Sequence, residues 1–332
     1  MSNVNMKQMT IDKIWEYYKE DLQAAEDRMS GILATVAPAV SVVGKHISSA
    51  GGKRIRPFLA ILSSRLLGTR GDEVSTLASS VEFIHAASLI HDDVVDGANL
   101  RRGKPSAHSI WGNQVVVLVG DFLYANALRL ANLLERQKIM DALCTATAKM
   151  SEGELVQLSK QGSPDMTEDD YMKIIQGKTA ILMSAACKGG AVLGNATQKQ
   201  EDALATFGLK FGYAFQMSDD ILDYRAEEKV FGKNLGKDLE EGKITLPLIN
   251  LLRDADDRET ARIKEIIKAE SITETDLADV QDMFNKHRSI EKSYERAGAI
   301  IDEAKAELDI FGDSMEKSSL LTIADYLLTR KK

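Results

Sequence analysis

Residues 73–96 read EVSTLASSVEFIHAASLIHDDVVD, a run rich in Ala, Leu and Ile that closes on the acidic pentad Asp92-Asp93-Val94-Val95-Asp96. Neither Pro nor Gly interrupts it, and it is far longer than an ordinary strand, so residues 73–95 read as a long apolar helix. Outward from it, residues 115–135, 139–160 and 201–223 read the same way, and 167–191 as one or two more helices. Thr10 is a plausible N-cap for residues 10–34, where Ile11, Ile14, Trp15, Tyr18, Leu22, Ala25, Met29 and Ile32 fall on one stripe. Residues 258–270, 275–285 and 289–308 alternate charge with Ala, Ile and Leu at helical spacing. The five prolines, at 38, 57, 105, 164 and 247, leave long intervals that suit long helices. Val115–Val119 is the one β-branched run that tempts as a strand, and no alternation of strands and turns surrounds it. The expected fold class is all-α, a bundle of about ten or more helices around a central core and cavity. The break at Pro164 reads as a short loop, so one domain is expected over residues 1–332.

The 332 residues are 44% hydrophobic and 28% charged, the balance of a globular protein with a substantial core. A net charge of −8 argues against a surface built for nucleic acid, since neutralising many phosphates needs an excess of Lys and Arg. Cys144 and Cys187 form no CxxC pair and read as reduced core thiols, which points to the cytoplasm. The polar N-terminus lacks a signal-peptide centre. The longest apolar stretches are broken by Lys188, or by Glu82 and His85, so no stable membrane insertion is expected. The tail Arg330-Lys331-Lys332 reads as a frayed end.

A second acidic pentad, Asp219-Asp220-Ile221-Leu222-Asp223, lies 127 positions after the first and also closes an apolar run. On a helix, residues four apart share a face, so Asp92 and Asp96 can aim at one object, as can Asp219 and Asp223. Three carboxylates on one turn repel one another unless a cation sits among them. A single such cluster is most often a solvated helix face; two of them, with Val, Ile and Leu between the acids, suggest the mouth of a cavity. Carboxylate oxygens without Cys or a His cluster suit Mg²⁺, and two clusters can hold several such ions around a polyphosphate. The alternating acids and central Gly of a calcium-binding EF-hand loop are absent.

Basic residues suited to a diphosphate occur in Gly51-Gly52-Lys53-Arg54-Ile55-Arg56-Pro57, Arg101-Arg102-Gly103-Lys104, Gly177-Lys178-Thr179 and Gly232-Lys233-Asn234-Leu235-Gly236-Lys237, with Lys243 beyond. Each alone is ordinary surface; their weight lies in combination with the acids. A nucleotide-binding P-loop is rejected, because Met172 stands where its first Gly belongs and Asp238 follows Lys237 where Ser or Thr is required.

With these motifs in order, the chain resembles the trans-type polyprenyl diphosphate synthases over roughly residues 45–250. GGKRIRP, HDDVVDGANLRRG, GKT, FGYAFQMSDDILDY and GKNLGKDLEEGKITLP carry the resemblance. It implies a prenyltransferase that adds isopentenyl diphosphate head to tail to an allylic diphosphate, with about three Mg²⁺ ions. It implies that Asp92, Asp93, Asp96, Asp219, Asp220 and Asp223 hold the metal on the allylic diphosphate. Arg101, Lys178, Lys233 and Lys243 would contact that diphosphate, and Lys53, Arg56, His85 and Arg102 the diphosphate of isopentenyl diphosphate. Thr179 and Gln216 would lie beside the developing allylic cation. A homodimer is implied as well.

The wording around the first pentad is closest to bacterial octaprenyl and solanesyl diphosphate synthases. In short-chain relatives bulky aromatic residues just before this motif close the product pocket. Here those positions are Ala87 and Ser88, on or beside the side of the helix that carries Asp92, so an open tunnel and a product of about C40, within about C35 to C50, are expected. A terpene cyclase would carry neither GGKRIRP nor a second DDxxD. A geranylgeranyl-type synthase and a non-catalytic subunit of a heteromeric synthase are the alternatives.

Overall fold

The run at 73–96 forms one helix because its Ala, Leu, Ser and Ile side chains pack on every face. In a computed structural model that describes residues 10–34, 37–49, 54–101, 103–225, 237–269 and 271–330, it spans Asp72–Val95. In chain order the helices are α1 (Ile11–Tyr17), α2 (Lys19–Leu33), α3 (Pro38–Ser49), α4 (Ile55–Leu66), α5 (Asp72–Val95), α6 (Ala107–Trp111), α7 (Asn113–Leu133) and α8 (Gln137–Lys160). They continue as α9 (Glu168–Ile175), α10 (Ile181–Leu193), α11 (Gln198–Arg225), α12 (Lys237–Glu240), α13 (Leu246–Asp254), α14 (Asp257–Ile267), α15 (Glu274–His287), α16 (Ser289–Glu307) and α17 (Met315–Thr329). A π-helical turn, Gln176–Ala180, joins α9 to α10. The all-α reading holds. The β-branched Val115–Val119 lies inside α7, and the one sheet among the described residues is the hairpin β1 (Leu100–Arg101) and β2 (Lys104–Pro105). The expected helix over 10–34 is two, parted at Tyr18, and Thr10 precedes α1 without a side-chain capping bond.

Chain contacts group the residues into two compact units. The first holds Met1–Thr147, Leu182–Gly208 and Leu308–Thr322; the second holds Ala148–Ile181, Leu209–Glu307 and Ile323–Lys332. In the first, α5 packs along α7, α4 and α2. Small residues let the backbones approach: the Ser80 hydroxyl donates to Ala127 O at 2.7 Å and Ser79 to Ala25 O at 3.0 Å. At Gly190 of α10 a Cβ would stand 2.8 Å from Ala60 O, so only glycine lets α10 lie this close to α4. In the second unit α13 packs on α15 and α16, and Asn250 donates to Ser293 within that contact at 3.0 Å. Capping boxes open α9 (Thr167/Asp170), α14 (Asp256/Glu259) and α15 (Thr273/Asp276), each satisfying N-terminal amides that a helix cannot pair internally.

Among the described residues one helix, α7, is long and apolar enough to cross a membrane by length and composition, rather than the stretches broken by Lys188 or Glu82. Its buried residues pack on α5. Cys187 is buried, and burial pushes its thiol up to about 12; Cys144 is exposed, so only one of the two thiols belongs to the core. The C-terminus also departs from expectation. Arg330 is buried: its guanidinium lies 4.5 Å from the Phe215 ring centroid and donates to Phe215 O, Ser218 Oγ and Asp219 Oδ1.

Candidate active site

In the first unit the acids sit on the last turn of α5. Asp92 is half-buried and Asp96, at the C-cap, is exposed, while Asp93 turns inward and is only 3% exposed. Asp93 survives burial because Arg101 Nε donates to its Oδ1 at 2.7 Å, a charge-assisted pair. Local sequence sets this pair. The β1–β2 hairpin turns through Gly103, whose φ of +77° suits glycine, and this leads Arg101 back to α5, where it also donates to Leu89 O at 3.3 Å. Asp92 and Asp96 are therefore the outward pair, and Asp93 orients Arg101. About two turns before Asp92 on α5, His85 Nε2 lies 3.1 Å from Arg56 NH1, so two of the residues expected at one diphosphate are brought together. Ala87 is fully buried, and the half-buried Ser88 directs its hydroxyl to His85 O.

In the second unit the π-helical turn presents Gly177, Lys178 and Thr179. It is held by close backbone approaches: a Cβ on Gly177 would meet Lys149 O at 2.7 Å, and one on Gly212 would meet Ala180 Cα at 2.4 Å. Such turns are common at functional sites. From it runs a hydrogen-bonded relay. Thr179 Oγ1 donates to Gln216 Oε1 at 2.7 Å, and Gln216 Nε2 donates to Asp220 Oδ1 at 2.7 Å. Tyr171, buried on α9, donates its hydroxyl to Asp220 Oδ2 at 2.6 Å. Asp219 is held by Arg330, and Asp223 Oδ2 accepts the Asp238 backbone N–H at 3.0 Å. Lys178 Nζ lies 2.8 Å from Glu154, and Lys243 lies 2.7 Å from Glu241. Lys178, Gln216, Asp220, Asp238, Lys243 and Tyr171 all line one cavity of about 110 Å³.

Electrostatics mark this cavity. Burial, reinforced by the charges of Asp219 and Asp223, raises the Asp220 carboxyl above the usual carboxylate range. Burial and the nearby Asp220 and Asp223 raise Asp238 as well. The same causes, burial first and then Asp220, keep the Tyr171 hydroxyl protonated and so a donor. A crowd of carboxylates that repel one another in a partly closed cavity is chemically suited to a hard divalent cation. Among the described residues no three His, Cys, Asp or Glu side chains converge as a ready-made metal cage.

Of the predicted site residues, Lys53, Arg102 and Lys233 lie outside the described residues. Tyr171, Asp238, Glu154 and Arg330 belong to the site's framework, and none was read from the sequence as a site residue. Only Asp238 stood inside a quoted motif; the others carry no local signal, being joined to it through space.

The polyprenyl synthetase family model matches residues 37–285, and the chain belongs to that family, a family of prenyltransferases. An octaprenyl diphosphate synthase of Haemophilus influenzae is 39% identical over 316 residues, 95% of this chain and 96% of the relative. A geranylgeranyl diphosphate synthase of Methanosarcina mazei is 35% identical, over 86% of this chain and 88% of the relative. The crystal structure of a polyprenyl synthase from Caulobacter crescentus, complexed with calcium and isoprenyl diphosphate, superposes with a TM-score of 0.91 at 35% identity, covering 97% of this chain and 98% of that one.

Proposed function

We propose that this chain is a long-chain synthase, adding isopentenyl diphosphate units to an allylic diphosphate, farnesyl diphosphate for choice, to give a product of about C40 for a quinone side chain. The observation that carries the chain length is the pair Ala87 and Ser88. Both are small, and Ser88 turns its hydroxyl to the helix backbone, so neither puts bulk in the path of a growing chain below Asp92.

In this reading Asp92, Asp93, Asp96, Asp219, Asp220 and Asp223 would hold about three Mg²⁺ ions, which would supply charge that stabilises the diphosphate leaving group. Asp93 keeps Arg101 aimed at that diphosphate, alongside Lys178, Lys233 and Lys243. Lys53, Arg56, His85 and Arg102 hold the second diphosphate. The oxygens of Thr179 and Gln216 lie beside the allylic cation, and the apolar walls keep water from capturing it. Loss of a proton to the departed diphosphate completes each unit. The whole chain, residues 1–332, acts as one synthase domain in the cytoplasm and works as a homodimer.

The test is an assay with radiolabelled isopentenyl diphosphate, farnesyl diphosphate and Mg²⁺, with product length read by chromatography, on the wild type and on Ala87→Tyr. Long polyprenyl product shortened by the substitution is the expected result. A geranylgeranyl-length product from the wild type would overturn the chain-length reading, and EDTA-insensitive silence the catalytic one.

A further inference from the structure

The segment that opens α4 carries Arg54 and Arg56 two positions apart, and the structure gives them different partners. Arg56 meets His85, as described. Arg54 donates from NH1 to Glu82 Oε1 at 2.5 Å and from Nε to Glu26 Oε1 at 3.1 Å, joining α2, α4 and α5. Glu82 is 5% exposed and sits three residues before His85, on the same side of α5. Arg54–Glu82 and Arg56–His85 are therefore two adjacent rungs between the start of α4 and one side of α5.

The backbone says why the first rung is needed. Arg54 has φ 46° and ψ 39°, the left-handed region that a residue with a Cβ enters only when its surroundings hold it there. Its carbonyl accepts the first hydrogen bond of α4, from Phe58 N at 3.1 Å, so the direction in which the helix departs depends on this residue. A planar guanidinium bridging two carboxylates from two helices can pin such a turn; a lysine ammonium has no such fork.

We propose that Arg54 is a positioning residue for isopentenyl diphosphate: the Glu26–Arg54–Glu82 bridge locks the left-handed turn and so holds Arg56 against His85 in the geometry that receives the second diphosphate. The inference rests on the reading that Arg56 and His85 take that diphosphate. It gives the central cation of the Lys-Arg-Ile-Arg segment a role distinct from its neighbour's, because its charge is committed to protein carboxylates.

The test compares the Arg54→Met/Glu82→Gln double variant with Arg56→Gln. The double change removes the cation and its buried counter-charge together, and leaves only Glu26, whose side chain is 45% exposed to water, without this cation. Circular dichroism and thermal melts establish that each variant is folded. Steady-state kinetics then measure KM for isopentenyl diphosphate, KM for the allylic substrate and kcat, and calorimetry measures binding of isopentenyl diphosphate itself. The expected result is a rise of about tenfold in KM and Kd for isopentenyl diphosphate in the double variant, with allylic KM and kcat within about twofold of wild type. Added to Arg56→Gln, the double change should raise KM little further, because both act through one contact. An unchanged KM for isopentenyl diphosphate in the folded double variant, with a raised one in Arg56→Gln, overturns the positioning role and leaves the site reading intact. An unchanged KM in Arg56→Gln overturns the site reading, and the inference with it.

Discussion

At the scale of single residues, what distinguishes the two acidic pentads is how each carboxylate is supplied with partners. Asp93 and Asp220 occupy corresponding places, second in their pentads, and both are buried, yet their partners differ in kind. Asp93 has a cation, Arg101, whereas Asp220 has two neutral donors, Tyr171 and Gln216. Neutral donors hold a carboxylate in place without cancelling its charge, which leaves that charge available to a divalent ion. Tyr171→Phe removes one of the two donors and keeps the ring's packing. A hydrogen bond to a charged group contributes about 1.5–3 kcal/mol, so kcat/KM should fall by about tenfold to a hundredfold, with a weaker Mg²⁺ response in a metal titration. Unaltered kinetics would show that Gln216 alone orients Asp220.

At the scale of elements, the π-helical turn between α9 and α10 matters most. It lies against Gly153 of α8 through Gly177, and Gly212 of α11 reaches Ala180 at its other end. Gly177→Ala would place a Cβ 2.7 Å from Lys149 O and 2.8 Å from Gly153 Cα, both backbone atoms that cannot turn aside. Overpacking of this kind costs about 1–3 kcal/mol. We expect Tm to drop by several degrees and kcat to drop further than stability alone explains, because Lys178 and Thr179 move with the turn. A thermal melt beside an activity assay separates the two effects. The bare Gly-Lys-Thr signal was legible in the sequence, but its π geometry was not. Helical periodicity gives no sign of one extra residue in a turn when the cause is a glycine contact with a distant helix.

At the scale of the whole molecule, acid should weaken the second unit through the α14–α15 contact. Glu259 closes the capping box of α14 and meets Lys286 at 2.6 Å and His287 at 2.8 Å, and these partners pull its carboxyl down to about 2 from 4.5. A carboxyl whose folded value is depressed contributes stability that is fully present above its unfolded value and lost as pH falls through the folded one. This contribution therefore holds at neutral pH and disappears between about pH 4.5 and pH 2. Glu259→Gln should lower Tm at pH 7 and narrow the gap to wild type as the pH approaches 2. A constant gap across that range would assign the loss to the cap's hydrogen bonds alone.

The long helices, both acidic pentads and the order of the motifs were legible in the chain, because each is a local pattern: apolar residues at a period of 3.6, or acids four apart on one face. Helix α5 was read to within a residue at its start, and Asp92 and Asp96 share a face as their spacing requires. Only the tertiary structure decided which acid turns inward, that Tyr171 completes the hold on Asp220, and that Arg330 is fastened to Asp219 instead of fraying at the chain's end. These pairings join residues 49 and 111 positions apart, and nothing in the intervening sequence repeats with a period that would announce them. Packing brings such groups together, and burial then favours pairing a polar group with whatever partner the fold has placed beside it.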